Sequence, residues 1–514
     1  MLFNSIEFVF IFLPAVVIGF LLLSRTASTK VLQGWLVASS LFYYGWWDPR
    51  YLLIIAASIL FNYYIGEVIE RGRRGRLMLA LGVCGNLGTL GYFKYTDFFI
   101  TNVNTLAGAS YPLQEIVLPL GISFFTFQQI AYLVDRNRGE VQEHGLLQYA
   151  LFVVFFPQLI AGPIVHHKDM MPQLSHTMGS GLKVRDLSLG VSIFAIGLFK
   201  KVVIADEMAR FASPVFAAAL GGSEPSLFEA WGGALAYTFQ LYFDFSGYSD
   251  MAIGIGAMFG VRLPLNFNSP YKATSIIDFW RDWHMTLSAF LRDYLYIPLG
   301  GNRFGRLLRY RNLMITMVLG GLWHGAAWTF VIWGALHGLY LVVNHAWRFA
   351  TRRWRSERPG AWAGHFATRW AGLWAGRLLT FLAVTVAWVF FRAESLDAAL
   401  LMLNGMAGQG GVVVTAKFLP QLATVFDGAV AMSPDRAIGA LTNHKIYKLL
   451  PLLLIVVWVL PNCGQVMAKE NARRLYAWRP NLRWLILSVI LLTASLYTMI
   501  YQQNRISEFI YFQF

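Results

Sequence analysis

The string Gly320-Gly321-Leu322-Trp323-His324-Gly325 holds the most conspicuous candidate for chemistry in the chain. It lies in apolar surroundings, where an ionisable imidazole is costly and therefore a functional candidate by default. Glycines on both sides of the Trp-His pair allow close backbone approach and unusual torsions. The alternative is a capping or packing histidine, and His337 and His345 further along stand nearer to it.

A second constellation runs from Asp278-Phe279-Trp280-Arg281-Asp282-Trp283-His284 through Ser288 to Arg292-Asp293-Tyr294. As one helix it places Phe279, Trp283, Phe290 and Tyr294 on one stripe and Arg281, His284, Ser288 and Arg292 on another. That pattern fits an interfacial amphipathic helix. It fits equally a cytoplasmic vestibule whose arginines hold an anionic donor such as a nucleotide phosphate. A third segment, Gln240 to Asp250, carries Asp244, Asp250 and several hydroxyls in an apolar region. Hydrogen bonding between helices accounts for it more simply than a polar lining. A fourth is the tail Phe509-Ile510-Tyr511-Phe512-Gln513-Phe514, four aromatics around a single hydroxyl, that of Tyr511. It is either an aromatic anchor at the membrane interface or a functional arm. Ten residues beyond Tyr501 span at most about 33–36 Å, enough to fold back toward His324 at mid-membrane.

Other chemistries find no motif. There is no HExxH and no Gly-Lys dipeptide, which excludes a zincin and a Walker A loop. There is no GxSxG elbow, and no histidine is followed five residues later by aspartate. Cys84 and Cys463 make neither a disulfide framework nor a thiolate metal site, and no metal is expected.

The elements that must position these residues follow from composition. Of the 514 residues 57% are hydrophobic and only 13% charged, against roughly 25% charged in soluble domains. The mean hydropathy is +0.51. A polytopic, all-α membrane protein is implied, forming a single integral domain over 1–514. The net charge of +15 sits in arginine runs between apolar stretches, the positive-inside pattern. No soluble basic face of the kind that binds nucleic acid is present. Apolar windows near 20 residues cover roughly 6–23, 31–47, 51–69, 77–93, 116–134, 146–164, 187–204, 228–243, 245–260, 312–347, 377–392, 446–461 and 484–501. No basic region precedes the first, so a retained span is expected rather than a cleaved signal. Leu118-Pro119-Leu120-Gly121 and Ala161-Gly162-Pro163 interrupt two of them. Broken backbone at membrane depth is tolerated only inside protein or beside a wet cavity, which directs attention to the middle of the chain.

Loop charge predicts orientation. Arg71 to Arg76 face the cytoplasm, as do Arg25 and Lys30, and Met1 lies outside. Arg303, Arg306, Arg309 and Arg311 precede the 312–347 stretch, and Arg348, Arg352, Arg353, Arg355 and Arg358 follow it, opposed only by Glu357. That stretch should therefore leave and return on the cytoplasmic side, as two legs of about 27 Å each. Loop 393–448, with four acids and four bases, reads as periplasmic. Lys469, Arg473, Arg474, Arg479 and Arg483 read as cytoplasmic, which leaves 502–514 as a periplasmic tail.

These segments resemble the membrane-bound O-acyltransferase family, in its bacterial polysaccharide-acetylating branch. The resemblance runs from Met1-Leu2-Phe3-Asn4-Ser5 to the C-terminus. It is strongest in Pro157-Gln158-Leu159-Ile160-Ala161-Gly162-Pro163, in 240–253, in 279–303 and in 319–325. It implies a helical bundle with broken and re-entrant helices around a central tunnel, with 115–350 as the catalytic core. His324 falls on the family's catalytic histidine, and His284 on its second candidate. The segment His166-His167-Lys168-Asp169-Met170-Met171 departs from the alginate-acetylating pattern.

The resemblance further implies a relay across a bacterial inner membrane, from a cytoplasmic thioester, acetyl-CoA, toward a periplasmic esterase-like partner of the SGNH type and so to a polysaccharide. Phe509-x-Tyr511-x-x-Phe514 is similar to the aromatic tail that serves as acyl acceptor in teichoic-acid-modifying members. On that reading His324 deprotonates Tyr511, and Arg281 and Arg292 hold the CoA moiety. The competing readings are a transporter, which should show paired broken helices in repeated halves, and a non-catalytic scaffold of a secretion complex.

Overall fold

Glycines decide how closely the two innermost helices approach. The helix Val184–Phe199 crosses the central helix Leu227–Met258 where Gly190 and Gly197 meet Gly254 and Gly247. A Cβ on Gly197 would lie 2.6 Å from the Gly247 carbonyl oxygen, and one on Gly247 would lie 2.7 Å from that of Gly197. Small residues at such spacings let helix backbones pack in an environment that offers no hydrophobic drive between them. In this computed structural model residues 1–72, 75–141, 145–176, 183–357, 366–413, 430–431, 445–468, 474, 476–501 and 509–510 are described, with backbone only at 175–176, 352–357, 366–369 and 430–431.

The described residues form an all-α architecture apart from one parallel pairing of two-residue strands, Val412–Val413 with Val430–Ala431. Four helices among them are long and apolar enough to cross a membrane: Tyr51–Glu70, Val184–Leu220, Trp370–Arg392 and Leu482–Tyr501. Twenty residues rise about 30 Å, the thickness of the hydrocarbon layer. The outward faces are apolar: Leu53, Leu60, Phe61, Leu485, Val489 and Ile490 are all exposed. Exposed apolar surface of this extent faces lipid rather than water. The chain is a multi-pass membrane protein.

Several windows fold differently from their apolar pattern. The stretches 228–243 and 245–260 are a single helix, Leu227–Met258, opened by a capping box in which Ser226 and Glu229 satisfy each other's backbone donors. Its polar middle finds partners on neighbouring helices, so no turn is needed there. The stretch 116–134 starts without helix, and helix Ile122–Asn137 begins after Gly121, whose φ of +70° is left-handed. The stretch 146–164 breaks at Phe155, ahead of Pro157, into helix Leu146–Val154 and a single turn. The 312–347 stretch is a hairpin of two full helices, Arg306–His324 and Trp328–Glu357, turning at 325–327.

The amphipathic reading of 278–294 as one helix is corrected. Helix Ile276–Asp282 stops at Trp283, His284 takes a left-handed conformation (φ +43°, ψ +53°), and a new helix runs Met285–Leu291. The left-handed residue rotates the second helix relative to the first, so the two stripes are not continuous. His284 turns fully inward, whereas Arg281 and Arg292 stay exposed. Arg73, Arg74, Arg358, Lys469, Arg473 and Tyr511–Phe514 lie outside the described residues, as do the side chains of Arg352, Arg353, Arg355 and Glu357.

Candidate active site

His324 is the last residue of its helix, 5% exposed, and its ring is enclosed by aromatic rings. Ring centroids lie 4.8 Å away at Trp323, 5.1 Å at Trp333 and 5.2 Å at Phe391. The glycines of the string act through closeness and not through torsion. Gly325 has an extended φ of −159°, and a Cβ on Gly321 would strike the Phe330 carbonyl of the opposing helix. That contact locks the hairpin one turn below the imidazole.

A helix that ends within a bundle leaves carbonyls without intrahelical donors. Here they are served from helix Gly75–Ala107. Lys94 Nζ donates to the Trp323 carbonyl at 2.6 Å and to the His324 carbonyl at 3.1 Å, and the Tyr95 hydroxyl donates to the Leu322 carbonyl at 2.8 Å. A cation at a helix C-terminus also meets the negative end of the helix dipole. Lys94, Asp97, Gly325, Ala327 and Phe330 border a cleft of about 310 Å³. Lys94 was visible in the sequence as a lone cation at the end of an apolar window, but nothing there tied it to a carbonyl 229 positions away.

His284 stands beside His324, with 6.5 Å between ring centroids. Its left-handed backbone is uncommon for a residue with a side chain, and such strain persists only where the surroundings hold it. Asn266 holds it. Asn266 Oδ1 lies 3.0 Å from His284 Nδ1 and accepts from the Thr286 hydroxyl at 2.9 Å, while Asn266 Nδ2 donates to Ser249. A carbonyl oxygen only accepts, so Nδ1 carries the proton and Nε2 is the basic nitrogen. His337, also fully buried, accepts from Trp280 Nε1 at 3.2 Å on Nδ1, inside a cluster with Trp333 and Trp388. This is a packing role, the one its position suggested.

Replacing Asn266 tests the orientation of His284 without touching either imidazole. Asn266→Ala is expected to lower the activity of the site by about tenfold or more, the usual scale for a partner that orients a functional histidine. Asn266→Asp keeps the acceptor and should retain more activity than the alanine variant. Turnover by the purified variants measures both.

The structure separates the two arginines. Arg281 pairs with Asp278 at 3.5 Å, which Arg348 also approaches at 3.4 Å, beside a cleft of about 530 Å³ containing Ser275, Asn344 and Arg348. Arg292 makes a two-point pair with Asp293 at 2.7 and 2.9 Å, and this neighbour holds the Asp293 carboxyl below the usual carboxylate range. Next to it the Tyr294 hydroxyl donates to Asp135 at 2.8 Å and lies 3.2 Å from His166. From Tyr294 a file of rings leads inward through Phe290 (5.0 Å), Phe127 (4.3 Å) and Trp323 (5.1 Å).

The acids of the third segment are paired between helices, as the simpler reading expects: Asp250 with Lys200 at 2.6 Å and Asp244 with Lys201 at 2.6 Å. Consecutive lysines reach acids six residues apart because Lys200–Ala205 form a π-helical turn. Of the tail, Phe509 and Ile510 are buried against the central helix, Phe509 stacking on Tyr248 at 4.5 Å. Tyr511 lies outside the described residues.

The described residues thus form a helical membrane bundle with two imidazoles buried side by side at a helix end. The chain belongs to the membrane-bound O-acyltransferase family, whose sequence profile (MBOAT) matches residues 113–385. It is 48% identical over 441 residues to the peptidoglycan O-acetyltransferase of Helicobacter pylori, covering 80% of this chain and 81% of that protein. It is 43% identical over 419 residues to a probable alginate O-acetylase of Pseudomonas aeruginosa, covering 80% and 75%. It is 29% identical over 242 residues to the teichoic acid D-alanyltransferase of Streptococcus thermophilus, covering 46% and 58%. The chain is an O-acyltransferase.

Proposed function

We propose that the protein moves acetyl groups from cytoplasmic acetyl-CoA across a bacterial inner membrane for O-acetylation of an exported or cell-wall polysaccharide. The observation that carries this reading is the His284–His324 pair, buried at the end of the hairpin among Trp323, Trp333 and Phe391. The names of the relatives supply the acceptor class: a peptidoglycan O-acetyltransferase and alginate O-acetylases. Both chain termini face the periplasm on this reading, and an esterase-like SGNH partner there completes the transfer to the polymer.

His324 removes the proton of the Tyr511 hydroxyl as its oxygen attacks the acetyl carbonyl. The C–S bond breaks, the thiolate takes the proton from the imidazolium, and free CoA leaves with acetyl now on Tyr511. A serine of the partner then attacks that aryl ester, restoring the tyrosine. His284, presenting Nε2 beside His324, steadies the imidazolium formed in between. The aromatic enclosure excludes water, which would otherwise hydrolyse the thioester.

Support for the tail as acceptor comes from a run of ring contacts: Phe509 to Phe245 (5.8 Å), Phe245 to His284 (4.7 Å), and His284 to His324 (6.5 Å). Tyr511 follows Ile510 directly. Support for the donor side comes from the aromatic file between Tyr294 and Trp323, with Arg292 at its outer end. Arg281, beside the separate cleft of Ser275, Asn344 and Arg348, is the second donor contact on this reading. The double variant Arg281→Ala/Arg292→Ala should raise the KM for acetyl-CoA about fivefold, the scale of exposed ionic contacts, with kcat little changed. Arg292→Ala alone should account for most of that rise. Unchanged KM in the double variant would return both arginines to the membrane interface.

A further inference from the structure

Three charged side chains buried in the bundle take no part in the transfer step. Lys201 Nζ lies 2.8 Å from Asp206 and 2.6 Å from Asp244, and all three residues are 1–2% exposed. Lys201 is thus paired with two carboxylates, in surroundings where buried charge is costly unless it is paired and hydrogen-bonded. Asp244 takes a further donor from the end of the chain: the backbone N–H of Ile510 donates to Asp244 Oδ2 at 3.0 Å. Donors to a carboxylate form the stronger class of hydrogen bond, and buried surroundings reinforce it.

The same helix face receives the residue before it. Asp244 and Tyr248 are four apart on Leu227–Met258 and therefore neighbours on one face. Tyr248 stacks on Phe509 with an interplanar angle of 22°. Phe509 and Ile510 are 1% and 4% exposed. Both halves of the contact thus point the same way, a ring against a ring and an amide against a carboxylate. The π-helical turn at Lys200–Ala205 brings Lys201 to this face, and π turns inside α-helices occur often at functional sites.

We propose that Asp244, held in place by Lys201 and Asp206, is a socket for the C-terminal tail and acts as a positioning residue for acyl transfer. The inference deepens the relay reading given above and rests on it for its functional consequence, though the docking itself does not. The socket recognises the tail through backbone at Ile510 and through an aromatic ring at Phe509, and so leaves the residue after them to be presented to the imidazole pair.

Hydrogen exchange measured by mass spectrometry on the purified full-length protein tests it. Asp244→Ala removes the acceptor and keeps the Lys201–Asp206 pair. In that variant the segment after Tyr501 should exchange about tenfold faster or more, as a lost charge-assisted bond implies, while 227–258 exchanges as in the wild type. Ile510→Pro removes the donor and leaves the triad untouched. It should expose the remaining amides of the segment to a similar degree, and polymer acetylation should fall about tenfold in both variants. Wild-type exchange of the tail in both would overturn the socket, whatever the activity. Tail release in both variants combined with full activity in Tyr511→Phe would uphold the socket and remove the relay.

Discussion

His324→Gln is expected to abolish acetyl transfer to polymer while the protein inserts and accumulates as the wild type does. Glutamine keeps a polar side chain of similar reach among Trp323, Trp333 and Phe391, so the loss reports the missing base rather than a collapsed enclosure. General-base assistance alone contributes about 10²–10⁴-fold, which in a cell lowers polymer acetylation to background. His324→Ala should give the same activity, with additional instability from the cavity it opens, since removing large buried side chains costs roughly 2–5 kcal/mol. Abundance by immunoblot and acetyl content of isolated polymer separate the two effects. Near-wild-type acetylation in His324→Gln would end the mechanism proposed for this site.

Tyr511→Phe is expected to be as severe, from the loss of one oxygen atom. An aromatic anchor at the interface depends on the ring, so phenylalanine would serve it almost fully. An acyl relay depends on the hydroxyl and would lose all transfer. Phe512→Tyr supplies the complementary case: it adds a hydroxyl one position along, and in the Tyr511→Phe background it should not restore transfer, because backbone docking at Ile510 fixes which residue follows. Full activity in Tyr511→Phe would remove the relay and leave the tail an anchor.

The sequence made the hairpin and its terminal histidine legible because both are local: a glycine-flanked imidazole inside a long apolar stretch needs no distant partner to be noticed. His284 was found by type but misplaced by geometry. A periodic reading rotates every residue by the same angle, and one left-handed residue cancels that assumption, turning the imidazole inward and leaving Arg281 and Arg292 behind on the surface. Asn266, Lys94 and Lys201 escaped for a different reason. Each acts through a partner 18, 229 or 43 positions away in the chain, and no local pattern encodes that distance. The two stretches read as separate spans across 228–260 differ similarly: one helix runs through Asp244 and Asp250, whose partners Lys201 and Lys200 come from the adjoining segment.

The most direct measurement is a single-turnover experiment on the purified protein with acetyl-CoA carrying labelled acetyl, following free thiol and mapping label onto peptides. The proposed mechanism predicts thiol release matched by label on Tyr511 in the wild type, and neither in His324→Gln. Thiol release at an undiminished rate in His324→Gln, with no label on the C-terminal peptide of the wild type, would contradict it.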